Sequence, residues 1–269
     1  MNPTLPTFFV PHGSPFFALN PGAAGAALTT AAAALPQPRA IVIVSAHWDT
    51  AVPTVGFAKK LETIHDFWGF PEELYTLRYP ATGCPEASAE VAAALEAAGL
   101  PVERDQARGL DHGAWIPLRL MFPDADVPVV PVSLQSAGGP QAAYRLGQAL
   151  APLRAKGMLV IGSGNLTHNL RDLQVAASFG GRTPAYVGEF SGWMARRLAA
   201  HDLPALLDYR RQAPGGIQAH PSDEHLLPLY VALGAAGNDA QVEHLHSGID
   251  HFVIAMDAYA FTPASEVRQ

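Results

Sequence analysis

With 269 residues, of which 49% are apolar and 15% charged, the chain has ample material for the core of one large α/β unit. A formal charge of -7 at pH 7 excludes a general nucleic-acid binder, which needs a basic footprint, but not a small anionic substrate met by a local Arg or Lys. The one cysteine, Cys84, excludes an intrachain disulfide and a Cys-rich zinc module, and its setting between Gly83 and Pro85 reads as a turn carrying an incidental thiol. No apolar run is long enough to span a bilayer, and residues 1–7 show no basic stretch followed by an apolar one. The expectation is a cytoplasmic protein with no membrane partner.

In chain order, residues 7–10 form the first short β-branched and aromatic run, stopped by Pro11-His12-Gly13-Ser14-Pro15. Residues 40–44 are apolar throughout, as in a strand covered on both faces, and run into Ser45-Ala46-His47-Trp48. A helical pattern over 87–98 follows, then a strand over 127–134, a helix over 141–153 and a strand over 158–161 that ends in Gly162-Ser163-Gly164-Asn165. A further helix is expected over 187–198 and an internal loop over 213–221. The next helix, over 222–233, opens on Ser222-Asp223-Glu224 as cap and first turn, and a last strand covers 252–256. Helices alternating with buried strands predict one α/β domain, residues 1–269, with a central mixed, largely parallel sheet flanked by helices.

The placement of the 11 histidines carries the most chemical information. His12, His47 and His168 each follow a predicted buried strand, and ligands of open α/β sheets gather beyond the carboxyl ends of the strands. A lone histidine after a strand is more often a hydrogen-bonded loop residue. Three in equivalent tight turns instead suggest convergence on a borderline divalent metal, for which neutral imidazole is the common ligand. His225, in the first turn of the helix expected from Ser222, and His220, just before it, are equal candidates for a further ligand. His112 lies in a loop before another helix, where Asp111 either orients the imidazole or caps the helix. The segment His65-Asp66-Phe67-Trp68-Gly69-Phe70 reads either as a wall of an aromatic pocket or as a packed loop. His201, His244, His246 and His251 read as surface residues, the middle two on one face of a strand. Lys59, Arg78 and Arg171 are candidates to meet a substrate carboxylate, and nothing selects among them. A phosphate-binding loop, a Gly-x-Ser-x-Gly elbow and a His-Glu-x-x-His motif are all absent, and Ser163 reads as a turn residue.

Six blocks in order resemble the class III (LigB-type) extradiol dioxygenases, in the branch called 4,5-DOPA dioxygenase extradiol. They are Pro11-His12-Gly13-Ser14-Pro15, Ser45-Ala46-His47-Trp48, Thr63-Ile64-His65-Asp66-Phe67, Asp111-His112-Gly113-Ala114-Trp115, Ser163-Gly164-Asn165-Leu166-Thr167-His168 and Glu224-His225-Leu226-Leu227-Pro228. The resemblance implies that His12, His47 and His225 are metal ligands, which favours His225 over His220. It implies that His168 sits beside the metal as an acid–base residue, or as a fourth ligand when zinc is bound, and that His112 contacts substrate or oxygen. Better-known members of the superfamily hold Fe(II) with two histidines and a carboxylate. Here His225 takes the third position, with Glu224 expected to point elsewhere, and the resulting three-histidine site suits both Fe(II), expected for activity, and Zn(II). The implied reaction opens the ring of a catechol, DOPA or a catecholic acid among the candidates, with dioxygen to give a semialdehyde. His168 would be the base and His112 the group polarising oxygen. The alternative is a zinc-dependent hydrolase of an amide or ester, and a second is a non-catalytic metal- or aromatic-binding protein.

Overall fold

In the computed structural model, which describes residues 4–178 and 181–264, the strands that are apolar throughout lie side by side at the centre of the sheet. The strands are β1 (Thr7–Pro11), β2 (Ala40–Asp49), β3 (Thr54–Gly56), β4 (Glu103–Asp105), β5 (Val129–Leu134), β6 (Met158–Gly164), β7 (Gln241–His246), β8 (Ile249–Asp250), β9 (Ile254–Ala255) and β10 (Ala258–Thr262). Eight of them form one sheet in the order β4-β3-β5-β2-β6-β1-β10-β7, with β8 and β9 pairing separately. β5, β2, β6 and β1 are mutually parallel, whereas β10 joins β1 antiparallel, β7 joins β10 antiparallel and β3 joins β5 antiparallel. The sheet is therefore mixed with a parallel centre, as the buried runs predict.

The register brings three carboxyl ends to one level. Pro11 pairs with Gly164, and Ser45 pairs with Ser163. Along β6 the Gly162 and Gly164 Cα atoms abut the carbonyls of Pro228 and His225, while the Ser163 hydroxyl reaches the Gly113 carbonyl. Because side chains alternate across a strand, the helix Leu227–Ala236 and the helix His112–Met121 must lie on opposite faces. The former is apolar on every side and buried at all positions but Leu233, as befits a helix enclosed between the sheet and the helix Gly139–Arg154. Arg154, itself buried, donates from Nη1 to the carbonyls of Ala235 and Ala236, capping that enclosed helix, and from Nε to Leu5 O.

Helices observed at Pro85–Ala97, Gly139–Arg154 and Ala185–Ala199 match the three expected. Three expectations are corrected. The strand expected over 252–256 is only the two-residue β9, and the C-terminal strand of the main sheet is β10. Positive φ at His251 and Phe252 breaks the extended chain, and Ala255 N and the Val253 carbonyl bond instead to the Thr167 hydroxyl. The helix expected from Ser222 starts at Leu227, because the Asp223 carboxylate binds Tyr209 and Arg210 rather than capping, while its carbonyl accepts from Leu226 N in a turn. His225 therefore precedes the helix, and the loop over 213–221 contains the short helix Gly216–Ala219. Edge strands β3 and β4, three residues each, are too short to leave a periodic signal. Among the described residues, no helix is long and apolar enough to cross a membrane.

Candidate metal centre

Five of the histidines converge where β1, β2 and β6 end. His12 follows β1 directly and is fully buried. Its backbone N–H donates to Gly164 O at 3.1 Å, and the next residue, Gly13, turns at φ +58° and donates to Asn165 Oδ1 at 2.9 Å. His47 lies within β2, which runs past Val44 with a break in register against β5. His225 is held by its carbonyl, which accepts from Asn165 N at 2.9 Å; a Cβ on Gly164 would collide with that carbonyl, so only glycine lets this turn approach the sheet. His112 opens a helix whose cap is Asp111, accepting from Ala114 N at 3.1 Å. The two readings of Asp111 resolve to capping, for His112 is oriented by Asp66 instead. His168 lies in the loop after β6, its N–H donating to Ala219 O at 2.9 Å.

The rings of His12, His47 and His225 form a nearly equilateral triangle, with centroids 4.9, 5.0 and 5.2 Å apart. His112 lies 4.0 Å from His47, and His168 stacks on His225 at 3.5 Å with the planes 10° apart. Hydrogen bonding assigns the tautomers. The Ser163 hydroxyl gives its single proton to Gly113 O, so at 3.1 Å it accepts from Nδ1–H of His12. The Asp66 carboxylate accepts from Nδ1–H of His47 at 3.3 Å and of His112 at 3.0 Å, and Glu224 accepts from Nδ1–H of His225 at 3.0 Å. Each of these four imidazoles keeps its Nε2 lone pair. The Nε2 atoms of His12 and His47 face each other at 3.2 Å, an arrangement that repels unless a cation sits against both. An oxygen acceptor behind every ligating histidine is the common outer-shell arrangement of metal sites, so the donor set fits a divalent ion.

Burial supports the same protonation. It holds His12 and His225 well below the usual imidazole range, reinforced by the neighbouring histidines, and lowers His47 to about 4 and His168 to about 3. All four are therefore neutral at pH 7 and able to ligate or to accept a proton. Burial pushes the Asp66 carboxyl up, but the bonds from His112 outweigh it and leave it at about 2, ionised as an acceptor must be.

Candidate ligand atoms of His12, His47 and His112 lie within 4.8 Å of one another, as do those of His168, Glu224 and His225. These two groups cut across the triangle of ring centroids. Nδ1 of His112 and of His225 is already engaged by a carboxylate, so we place more weight on the Nε2 set. His47, His112, His168 and His225 open onto a cavity of about 510 Å³, with Asp66, Phe67, Trp68 and Phe70 in its wall. The aromatic segment is thus a pocket wall, except for His65, which is packed against Tyr75 and Trp115 and donates from Nε2 to Leu77 O. His220 is buried elsewhere, donating to Leu166 O at 2.8 Å between Phe190 and Tyr209.

Sequence reasoning missed three acceptors. Glu224 does not point away but binds His225, Ser163 is a strand residue bonded to His12, and Asp66 bridges His47 and His112. Only the adjacent His65-Asp66 pair marked the last, and no spacing indicates a partner 46 residues away.

Residues 8–262 match the family model described as the catalytic LigB subunit of aromatic ring-opening dioxygenase. The chain belongs to the LigB family. A Beta vulgaris protein named 4,5-DOPA dioxygenase extradiol is 38% identical over 260 residues, covering 95% of this chain and 96% of that protein. An Escherichia coli K12 protein of the same name is 37% identical over 239 residues, covering 86% and 85%. The crystal structure of an uncharacterized Escherichia coli K12 protein superposes with a TM-score of 0.78 at 28% identity, covering 95% of this chain and 99% of that one. This LigB protein is an extradiol dioxygenase of the class III kind, and the match favours ring-opening oxygen chemistry over the alternative of metal-dependent hydrolysis.

Proposed function

We propose that the chain opens the ring of a catechol beside its diol, adding both atoms of O2 to give a semialdehyde, at an Fe(II) ion held by Nε2 of His12, His47 and His225. The observation that carries this reading is the triangle of three imidazoles with lone pairs inward and Nδ1 anchored outward, at the floor of a cavity with aromatic walls. Iron would supply Lewis acidity toward the catechol oxygens and the electron transfer that makes dioxygen reactive; Zn(II), which fits the same donors, would supply only the first.

The remaining steps belong to the side chains. His168 is neutral, borders the cavity and is stacked on His225, so it is the base that takes a phenolic proton as the substrate binds. His112, fixed by its bond to Asp66, is the side chain that contacts substrate or oxygen. Phe67 packs edge-on against His112 with centroids 5.6 Å apart and gives the catechol ring an apolar surface. The catalytic domain on this reading is the whole of residues 1–269.

Anaerobic reconstitution with Fe(II), followed by oxygen uptake with a panel of catechols against a zinc-loaded control, tests the proposal. One O2 consumed per catechol, with a yellow product in the iron sample alone, is the expected result. No uptake with any catechol from protein shown to hold iron would overturn it.

A further inference from the structure

Beyond the histidines, the cavity is walled by Phe67, Trp68, Phe70, Leu170, Leu173 and Ile254. Trp68 is 86% and Leu170 52% exposed, so two of the large apolar side chains left in water stand on this cavity. The charged side chain in its wall is Asp66, an anion. Behind His225 stands a second carboxylate, Glu224.

Among the described residues, no lysine or arginine lines the cavity. Arg78 is turned onto the carbonyls of Tyr75 and Leu77, at 2.6 and 2.8 Å. Arg108 is held by Asp111 and stacks over Trp48. Lys59 and Arg171 are exposed outside the lining. A divalent ion and a catecholate dianion balance each other, so a further carboxylate on the substrate would enter an apolar, anion-bearing cavity with no cation to pair it.

Resting on the extradiol reading, we infer that the substrate is a catechol whose ring substituent is uncharged and apolar, lying against Trp68 and Leu170, rather than an amino acid or other catecholic acid. The comparison that isolates charge is 3-(3,4-dihydroxyphenyl)propionate against its methyl ester, with 4-methylcatechol as a third ligand. Calorimetric binding to iron-loaded protein without oxygen and kcat/KM for oxygen uptake are both read. The ester and 4-methylcatechol should exceed the acid by about tenfold or more in each, a gap of about 1.4 kcal/mol. Trp68→Arg should narrow that gap by raising the acid.

Equal or better binding and turnover of the acid would overturn the inference. If no catechol is opened yet the ester still binds about tenfold tighter than the acid, the apolar-pocket inference stands and the extradiol reading falls. If neutral catechols and acids alike fail to bind, the inference falls with it.

Discussion

Replacing Asp66 with asparagine should loosen the metal without unfolding the protein. Its carboxylate accepts from Nδ1–H of His47 at 3.3 Å, from Nδ1–H of His112 at 3.0 Å and from the His112 backbone N–H at 2.8 Å. Asparagine keeps one acceptor oxygen and puts an NH2 group where the other stood, so either His47 or His112 then faces a donor. His47 would have to rotate or change tautomer, and a tautomer change moves its proton onto the Nε2 atom that should face the metal. Loss of an outer-shell acceptor of this kind costs about 10- to 100-fold in metal affinity, or about 1.4 to 2.7 kcal/mol. Competition with a chromogenic chelator for Zn(II) gives the affinity, and circular dichroism checks the fold. The companion change Glu224→Gln touches only His225 and should cost less. An Asp66→Asn protein that binds metal within about twofold of the parent would refute the reasoning.

His168→Ala should lower kcat by about 100-fold or more while metal content by elemental analysis stays near the parent's, as expected for a base rather than a ligand. Substantial loss of metal would make it a ligand. His220 should make the protein acid-labile: burial lowers it to about 4, and its Nε2–H is committed to Leu166 O. The folded state binds fewer protons at this group than the unfolded chain between the ordinary imidazole value and about 4. Its contribution, about 3 kcal/mol at most, is therefore complete above pH about 6.5 and lost as pH falls to about 4. Urea unfolding midpoints of His220→Gln should accordingly fall less steeply over that window than the parent's, and parallel curves would count against the assignment.

Much of the architecture was legible because burial leaves a local mark. Continuous apolar runs became the parallel centre of the sheet, and a histidine just past three of them pointed to the crevice at the strand ends. What failed was local competition. The stretch 252–256 has strand composition and is buried, but it bonds to Thr167 rather than to a ladder. Ser222-Asp223 has the form of a helix cap, yet Asp223 is drawn to Tyr209 and Arg210.

By itself, then, the sequence determined the elements, the parallel core and the histidines able to bind metal, since periodicity and residue chemistry act over a few neighbours. Which acceptor holds which imidazole, and that the cavity wall is apolar while Arg78 is turned onto backbone carbonyls, depended on contacts between segments tens to hundreds of residues apart. Such contacts follow from strand order and register, which a local pattern does not encode.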